Sequence, residues 1–199
     1  MPNSTKYSKL KAIKDELLSA NDSPLYQYRQ DNHYLPVIGE GSHDAKIMFI
    51  GEAPGKNEAL SGRPFCGAAG KILDELLNSI NLGREQVYIT NIVKDRPPNN
   101  RDPLPDEIAY YAPYLDRQID IISPAVIATL GRFSMVYILE RFTTTENIGP
   151  IGQLHGQKIL PNKPMIAIII PLFHPAATIY NQSLKGTLLS DFQLLKEYI

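Results

Sequence analysis

Two glycine-punctuated stretches carry the residues best suited to chemistry, Gly51-Glu52-Ala53-Pro54-Gly55 and Gly62-Arg63-Pro64-Phe65. They place a tight turn, acids and an aromatic ring directly after the apolar run Lys46-Ile47-Met48-Phe49-Ile50. Asn91 adds an amide at the end of a second apolar run, and Phe173-His174-Pro175-Ala176-Ala177 adds an imidazole after a third. Carboxylates, an amide, a ring and an imidazole delivered to one rim would suit the gripping of a planar polar heterocycle. A phosphate-binding loop is the rival for Gly51 to Lys56. That motif needs four residues between its glycines and Ser or Thr after its lysine. Here three residues separate Gly51 from Gly55, and Asn57 follows Lys56, so the spacing argues against an NTPase.

The elements that must position these residues follow from apolar periodicity. Leu10, Ile13, Leu17 and Leu18 share one face and predict an amphipathic helix over Tyr7 to Leu18. Turn formers then fill Asn21 to Ser42. Buried strands are expected over Lys46 to Ile50, Val87 to Val93, Ala125 to Leu130 and Met165 to Leu172. Helices are expected over Ala68 to Ile80, Asp106 to Ile122 with an interruption or kink at Pro113, Phe133 to Leu139, and Leu184 to Tyr198. Gly149 to Gly156 reads as a hairpin or loop. The alternation predicts a three-layer α/β/α sandwich around a mostly parallel four-stranded sheet, whose strand ends bring the chemistry-bearing loops to one edge.

A chain of 199 residues suits one buried core, so residues 1–199 are expected to form a single domain. No run of about 18 apolar residues marks a membrane span, and no charged-then-apolar leader is seen, which points to the cytoplasm. The single cysteine, Cys66, excludes an internal disulfide and a cysteine-ligated metal cluster within one chain. A net charge of -1 and a pI near 6.4 do not advertise a nucleic-acid binder, but leave room for a local basic face with modest, salt-sensitive affinity.

Taken together, Gly51 to Gly55, Gly62-Arg63-Pro64-Phe65 with Gly67 and Gly70, Thr90-Asn91 with Val93-Lys94, Arg96-Pro97-Pro98 through Asn100-Arg101, and His174-Pro175-Ala176-Ala177 resemble the uracil-DNA glycosylase superfamily. They resemble specifically its family-4 branch, otherwise characterised by an iron–sulfur cluster. In that branch cysteines would be expected near Ala20 and Ser23, at Asp95 and at Tyr111, and none of these is cysteine here. Thiolates hold such clusters, so a cofactor-free, metal-free member is expected, with Asp95 bonded to Tyr111 or to a basic neighbour instead.

The resemblance implies a monomeric enzyme that flips uracil out of DNA and hydrolyses its glycosidic bond, leaving an abasic site. By the same resemblance Phe65 stacks on the flipped ring and the Asn91 amide pairs with uracil O4 and N3–H, rejecting cytosine. Glu58 packs beside ring C5 and excludes thymine, and Glu58→Ala should then admit some thymine. His174 donates to uracil O2, backbone N–H groups near Gly51 add oxyanion-type stabilisation, and Glu52 positions water or stabilises the cationic sugar. Pro175, Ala176, Ala177 and the residues after them would form the loop that wedges into the gap left by the flipped base. Lys94, Arg96 and Arg101 are candidate DNA contacts as a group, and Lys185 either meets phosphate or is a solvated charge. Cys66 is expected to pack beside Phe65, and His33, His43 and His155 to be surface or turn residues. Two alternatives accompany this: a glycosylase for another deaminated base such as hypoxanthine, and a noncatalytic nucleic-acid-binding module.

Overall fold

The computed structural model describes residues 4–144, 148–162, 166 and 168–199. The chain runs α1 (Ser4–Ser19), α2 (Tyr26–Asp31), β1 (Glu40–Gly41), β2 (Ile47–Gly51), α3 (Lys56–Ser61), α4 (Ala68–Asn78), β3 (Tyr88–Asn91), α5 (Pro105–Ile122), β4 (Val126–Leu130), α6 (Arg132–Phe142), α7 (Ile151–Leu154), β5 (Ile168–Leu172), α8 (Ala177–Tyr180) and α9 (Leu184–Gln193). Short 3-10 turns cover Arg84–Gln86, Pro98–Asn100 and Leu194–Tyr198.

The sheet order is β1-β3-β2-β4-β5. All neighbours are parallel except β1, which pairs antiparallel with β3 at the edge. The sheet therefore has five strands rather than the four expected. Two-residue β1 has no apolar run to announce it; its pairing to Ile89 and Tyr88 creates it. From β2 the chain goes to β3 on one side and then returns to β4 on the other. The C-terminal edge between β2 and β4 is thus a topological switch point, where open parallel sheets leave a crevice.

Every residue of β2, β3, β4 and β5 is buried, as a sheet covered on both faces requires. Period-two alternation divides the core. Met48, Ile50, Ile127 and Ile169 pack with Ile13 and Leu17 of α1, Leu115 and Ile119 of α5, and Met135 of α6. Ile47, Phe49, Ala128 and Ile170 pack with Leu73 and Leu77 of α4 and Leu188 and Phe192 of α9. Phe49 and Phe192 stack at 5.6 Å. These are the outer layers of an α/β/α sandwich.

Other departures from expectation have local causes. α2 forms within the predicted loop, where Arg29 is buried. α5 continues through Pro113 without interruption, because Pro113 and Ala109, whose carbonyl loses its partner, are both exposed to water. A four-residue helix, α7, replaces the expected hairpin or loop. The expected strand from Met165 begins at Ile168, and Met165 itself lies outside the described residues. No described helix is long and apolar enough to cross a membrane.

Candidate active site

Gly51 and Asn91 are register partners at the ends of β2 and β3. Backbone pairing continues past them, with Ile92 N–H to Gly51 O and Val93 N–H to Glu52 O, both at 3.0 Å, so Glu52 and Asn91 leave the sheet side by side. A Cβ on Gly51 would sit 2.3 Å from Asn91 Oδ1 and 2.7 Å from Phe65 Cζ. Only glycine lets the amide and the ring close over this strand end. Together with His174, which follows β5, and Glu58 on α3, Glu52, Phe65 and Asn91 line a cleft of about 400 Å³ whose wall also includes Pro97, Asn100, Arg101 and Ala176. Among the described residues, no group hydrogen-bonds the side-chain amide of buried Asn91, leaving its donor and acceptor to the cleft.

Phe65 is held there against its backbone preference. Its φ is 48°, a left-handed conformation that costs a bulky residue roughly 1–3 kcal/mol. The turn is clamped from two sides. Arg84 donates from Nη1 to Phe65 O at 3.0 Å and from Nη2 to Pro64 O at 2.7 Å. Glu58 Oε1 accepts from Cys66 N–H at 2.9 Å and Gly67 N–H at 2.7 Å. Gly70 completes the fit, since a Cβ there would lie 1.8 Å from Phe65 O. Glu58, expected only to exclude thymine, is thus also a backbone clamp, and Cys66 is exposed rather than packed.

The half-buried His174 accepts a hydrogen bond from Ala176 N–H at Nδ1, 3.1 Å away, which puts the imidazole proton on Nε2. Burial lowers its pKa to about 4, with Glu58 acting in the opposite direction. The ring is accordingly neutral near pH 7 and a donor through Nε2. Glu52 moves the other way: burial first, then the Asp102 charge, raise its pKa to about 7 against the pull of Arg132. It can hold or release a proton near neutrality.

The basic candidates separate. Lys94 is fully buried and cannot reach DNA, a correction with a clear cause. Its Nζ donates to Thr90 Oγ1, the Asn91 carbonyl and Gln118 Oε1 at 2.8, 2.7 and 2.6 Å, and burial holds its pKa well below the ordinary lysine value. Arg96 is tied to Asn100 and Tyr34 at 2.7 and 2.6 Å. Arg101 forms a two-pronged pair with buried Glu107 while lining the cleft. Lys185 is exposed, outside the cleft wall, and paired with Glu75 at 2.7 Å. Pro175 is buried and cannot wedge into DNA. Ala176 lines the cleft and Ala177 opens α8, from which Ile179 and Tyr180 project, 51% and 90% exposed.

Arg84, Asp102 and Arg132 were missed in the sequence, and Ile179 and Tyr180 were covered only as residues following the Pro175-Ala176-Ala177 motif. Only Gly70, a glycine inside a helical pattern, signals the close approach that Arg84 helps maintain. Of the remaining histidines, His155 joins Asp191 at 2.8 Å, and His33 is exposed.

Three of the four positions where the resemblance would put cysteines meet in the interior. Tyr111 donates to Asp95 Oδ2 at 2.6 Å and lies 3.0 Å from Ser23 Oγ. Arg29 Nη1 donates to the same Asp95 oxygen at 2.9 Å, and its Nη2 donates to the backbone carbonyl of the fourth position, Ala20, at 2.7 Å. These residues do not fit an iron–sulfur cluster: the donor set has no thiolate, and atoms already in contact leave no volume between them for iron and sulfide. Among the described residues, no group of three His, Cys, Asp or Glu side chains is placed to hold a metal ion.

The family model described as the Uracil DNA glycosylase superfamily matches residues 38–195. The chain is 48% identical over 190 residues to a Type-4 uracil-DNA glycosylase of Sulfurisphaera tokodaii, covering 94% of this chain and 84% of that one. It is 44% identical over 196 residues to that of Saccharolobus solfataricus, covering 94% and 85%, and 42% over 189 residues to that of Archaeoglobus fulgidus, covering 92% and 89%. With glycine, amide, aromatic and imidazole arranged around one cleft at the C-terminal ends of its strands, the chain belongs to the uracil-DNA glycosylase superfamily.

Proposed function

We propose that the protein is a monofunctional uracil-DNA glycosylase of base excision repair, which hydrolyses the N-glycosidic bond of flipped-out uracil in DNA and leaves an abasic site. The observation that carries this is the Asn91 amide, unpaired among the described residues, beside Phe65 and a neutral, Nε2-protonated His174 in one cleft. An amide offers one acceptor and one donor, matching uracil N3–H and O4. Cytosine presents the opposite polarity and leaves buried groups unpaired. His174 Nε2–H faces the role of donor to uracil O2 as the C1′–N1 bond breaks and the base leaves with the bonding pair. Water forms the new bond to C1′ and gives its proton to ionised Glu52, which returns it to solvent or the departing base.

The reading includes cofactor-free action as a single 1–199 domain and a monomer in the cytoplasm; a light-scattering mass above that of one 22.3 kDa chain would overturn the monomer. The deciding experiment is base release from matched single-stranded and U:G duplex oligonucleotides in EDTA, comparing wild type with Asn91→Ala and His174→Ala. Uracil release that is lost in the variants supports the reading. Tight DNA binding without release of any deaminated base would replace it with the noncatalytic module, and release of hypoxanthine alone with the altered specificity.

A further inference from the structure

Asp95 gathers three residues from two remote parts of the chain onto one oxygen. Arg29 and Ser23 come from the segment around α2 and Tyr111 from α5, and all three reach Oδ2, at 2.9, 3.5 and 2.6 Å. The other oxygen, Oδ1, is buried with no hydrogen-bond partner among the described residues. A network built for stability alone would satisfy both, and a buried ion pair with a stranded oxygen is poor evidence of net stabilisation. What it does fix is direction. Asp95 directly follows Lys94, whose amine holds the Asn91 carbonyl, and directly precedes the 96–101 loop that supplies Pro97, Asn100 and Arg101 to the cleft wall.

We infer that Arg29, Ser23 and Tyr111 lock the Asp95 carboxylate so that it positions the 96–101 loop for gripping the DNA strand, an oxygen-and-guanidinium lock in the place where the resemblance would put a metal cluster. Asp95 and its partners are positioning residues and touch no substrate. The inference deepens the glycosylase reading and rests on it, but its test can be read separately.

Electrostatics and positioning give opposite signs for one substitution. Removing a negative charge strengthens attraction to polyanionic DNA, whereas releasing the loop weakens the grip. The experiment measures Kd for a uracil-bearing duplex in EDTA, single-turnover base release at saturating enzyme, melting temperature, and iron and sulfide content. It uses full-length wild type, Asp95→Asn, Tyr111→Phe and Arg29→Met/Asp95→Asn. Asp95→Asn and Tyr111→Phe are expected to weaken Kd about tenfold, with saturated base release within about threefold of wild type. The double variant regains part of the melting temperature lost in Asp95→Asn, since no guanidinium is stranded, but not the affinity. Wild-type Kd in both single variants, tighter binding by Asp95→Asn, or melting loss without loss of affinity would overturn the lock, as would stoichiometric iron and sulfide in wild type. Should wild type bind but release no uracil, the glycosylase reading falls while the lock is still decided by Kd.

Discussion

The rings of Phe65 and His174 lie 5.7 Å apart and inclined by 30°, although they follow different strands far apart in the chain and Phe65 sits in a left-handed backbone conformation. One wall of the cleft thus depends on a strained turn, and the strain is carried by Glu58 from the cleft side and by Arg84 from outside it. Arg84 is central. Its guanidinium serves two backbone carbonyls and also pairs with Glu40 and Asp74 at 2.8 and 3.0 Å. A lysine has no planar fork to hold this geometry. Arg84→Lys is expected to lower kcat/KM for uracil release about tenfold, through loss of half-buried hydrogen bonds to a charged donor, while Glu40→Gln, which keeps both carbonyl contacts, loses less. Equal activity of Arg84→Lys and wild type would show that the turn holds itself.

Glu52 ties activity and stability to pH with opposite signs. With its pKa raised to about 7, the ionised form needed to accept a proton from water accumulates only as pH rises through 7. The kcat/KM profile should climb with unit slope below that value and level above it. Stability runs the other way. Between the ordinary glutamate value and about 7 the folded protein keeps a proton that the unfolded chain has released, so this group's contribution falls as pH rises across that window. Glu52→Gln should abolish the acid limb along with most activity, and should melt higher than wild type above pH 7. A profile that keeps the same limb in Glu52→Gln assigns the titration to another group.

Much of this arrangement was legible in the sequence, and what was not has physical reasons. Predominantly apolar runs located β2 to β5, because strands covered on both faces are largely apolar. The positions of Gly51, Glu52, Phe65, Asn91 and His174 then followed from strand ends and turn residues. β1 and α2 escaped, since each exists through contacts with remote partners: Glu40 with Ile89, Arg29 with Asp95. Pro113 does not interrupt α5, because the Ala109 carbonyl it frees is exposed to water. Lys94 did mislead. A lysine in a polar, proline-rich stretch reads as solvated, and its three acceptors come from β3 and, by way of Gln118, from α5.

That inward turn makes Lys94 a test of where the DNA-binding charge resides. A lysine that neutralises a phosphate contributes about 0.9 to the slope of log affinity against log salt. Lys94 touches none, so Lys94→Met should leave the slope unchanged. It should instead lower unfolding stability by about 1–3 kcal/mol in urea titration, as three buried acceptors lose their donor. A flatter salt dependence would mean that Lys94 swings out to the DNA.

Glu58 separates two explanations for thymine exclusion. If the side chain acts only as a steric wall, Glu58→Ala keeps full uracil activity and gains thymine release. Its hydrogen bonds to Cys66 and Gly67 N–H say otherwise: alanine also removes the clamp on the Phe65 turn, and displacing that ring by as little as 1 Å can reduce rate about a hundredfold. Glu58→Gln retains a carbonyl oxygen able to accept from both N–H groups and fills the same space. We therefore expect Glu58→Ala to lose uracil release at least about tenfold and Glu58→Gln to stay within about threefold, both measured with paired U:G and T:G duplexes. Thymine release from Glu58→Ala at an unreduced uracil rate would restore the purely steric account, because the Phe65 turn would then be secured by Arg84 and Gly70 without the carboxylate.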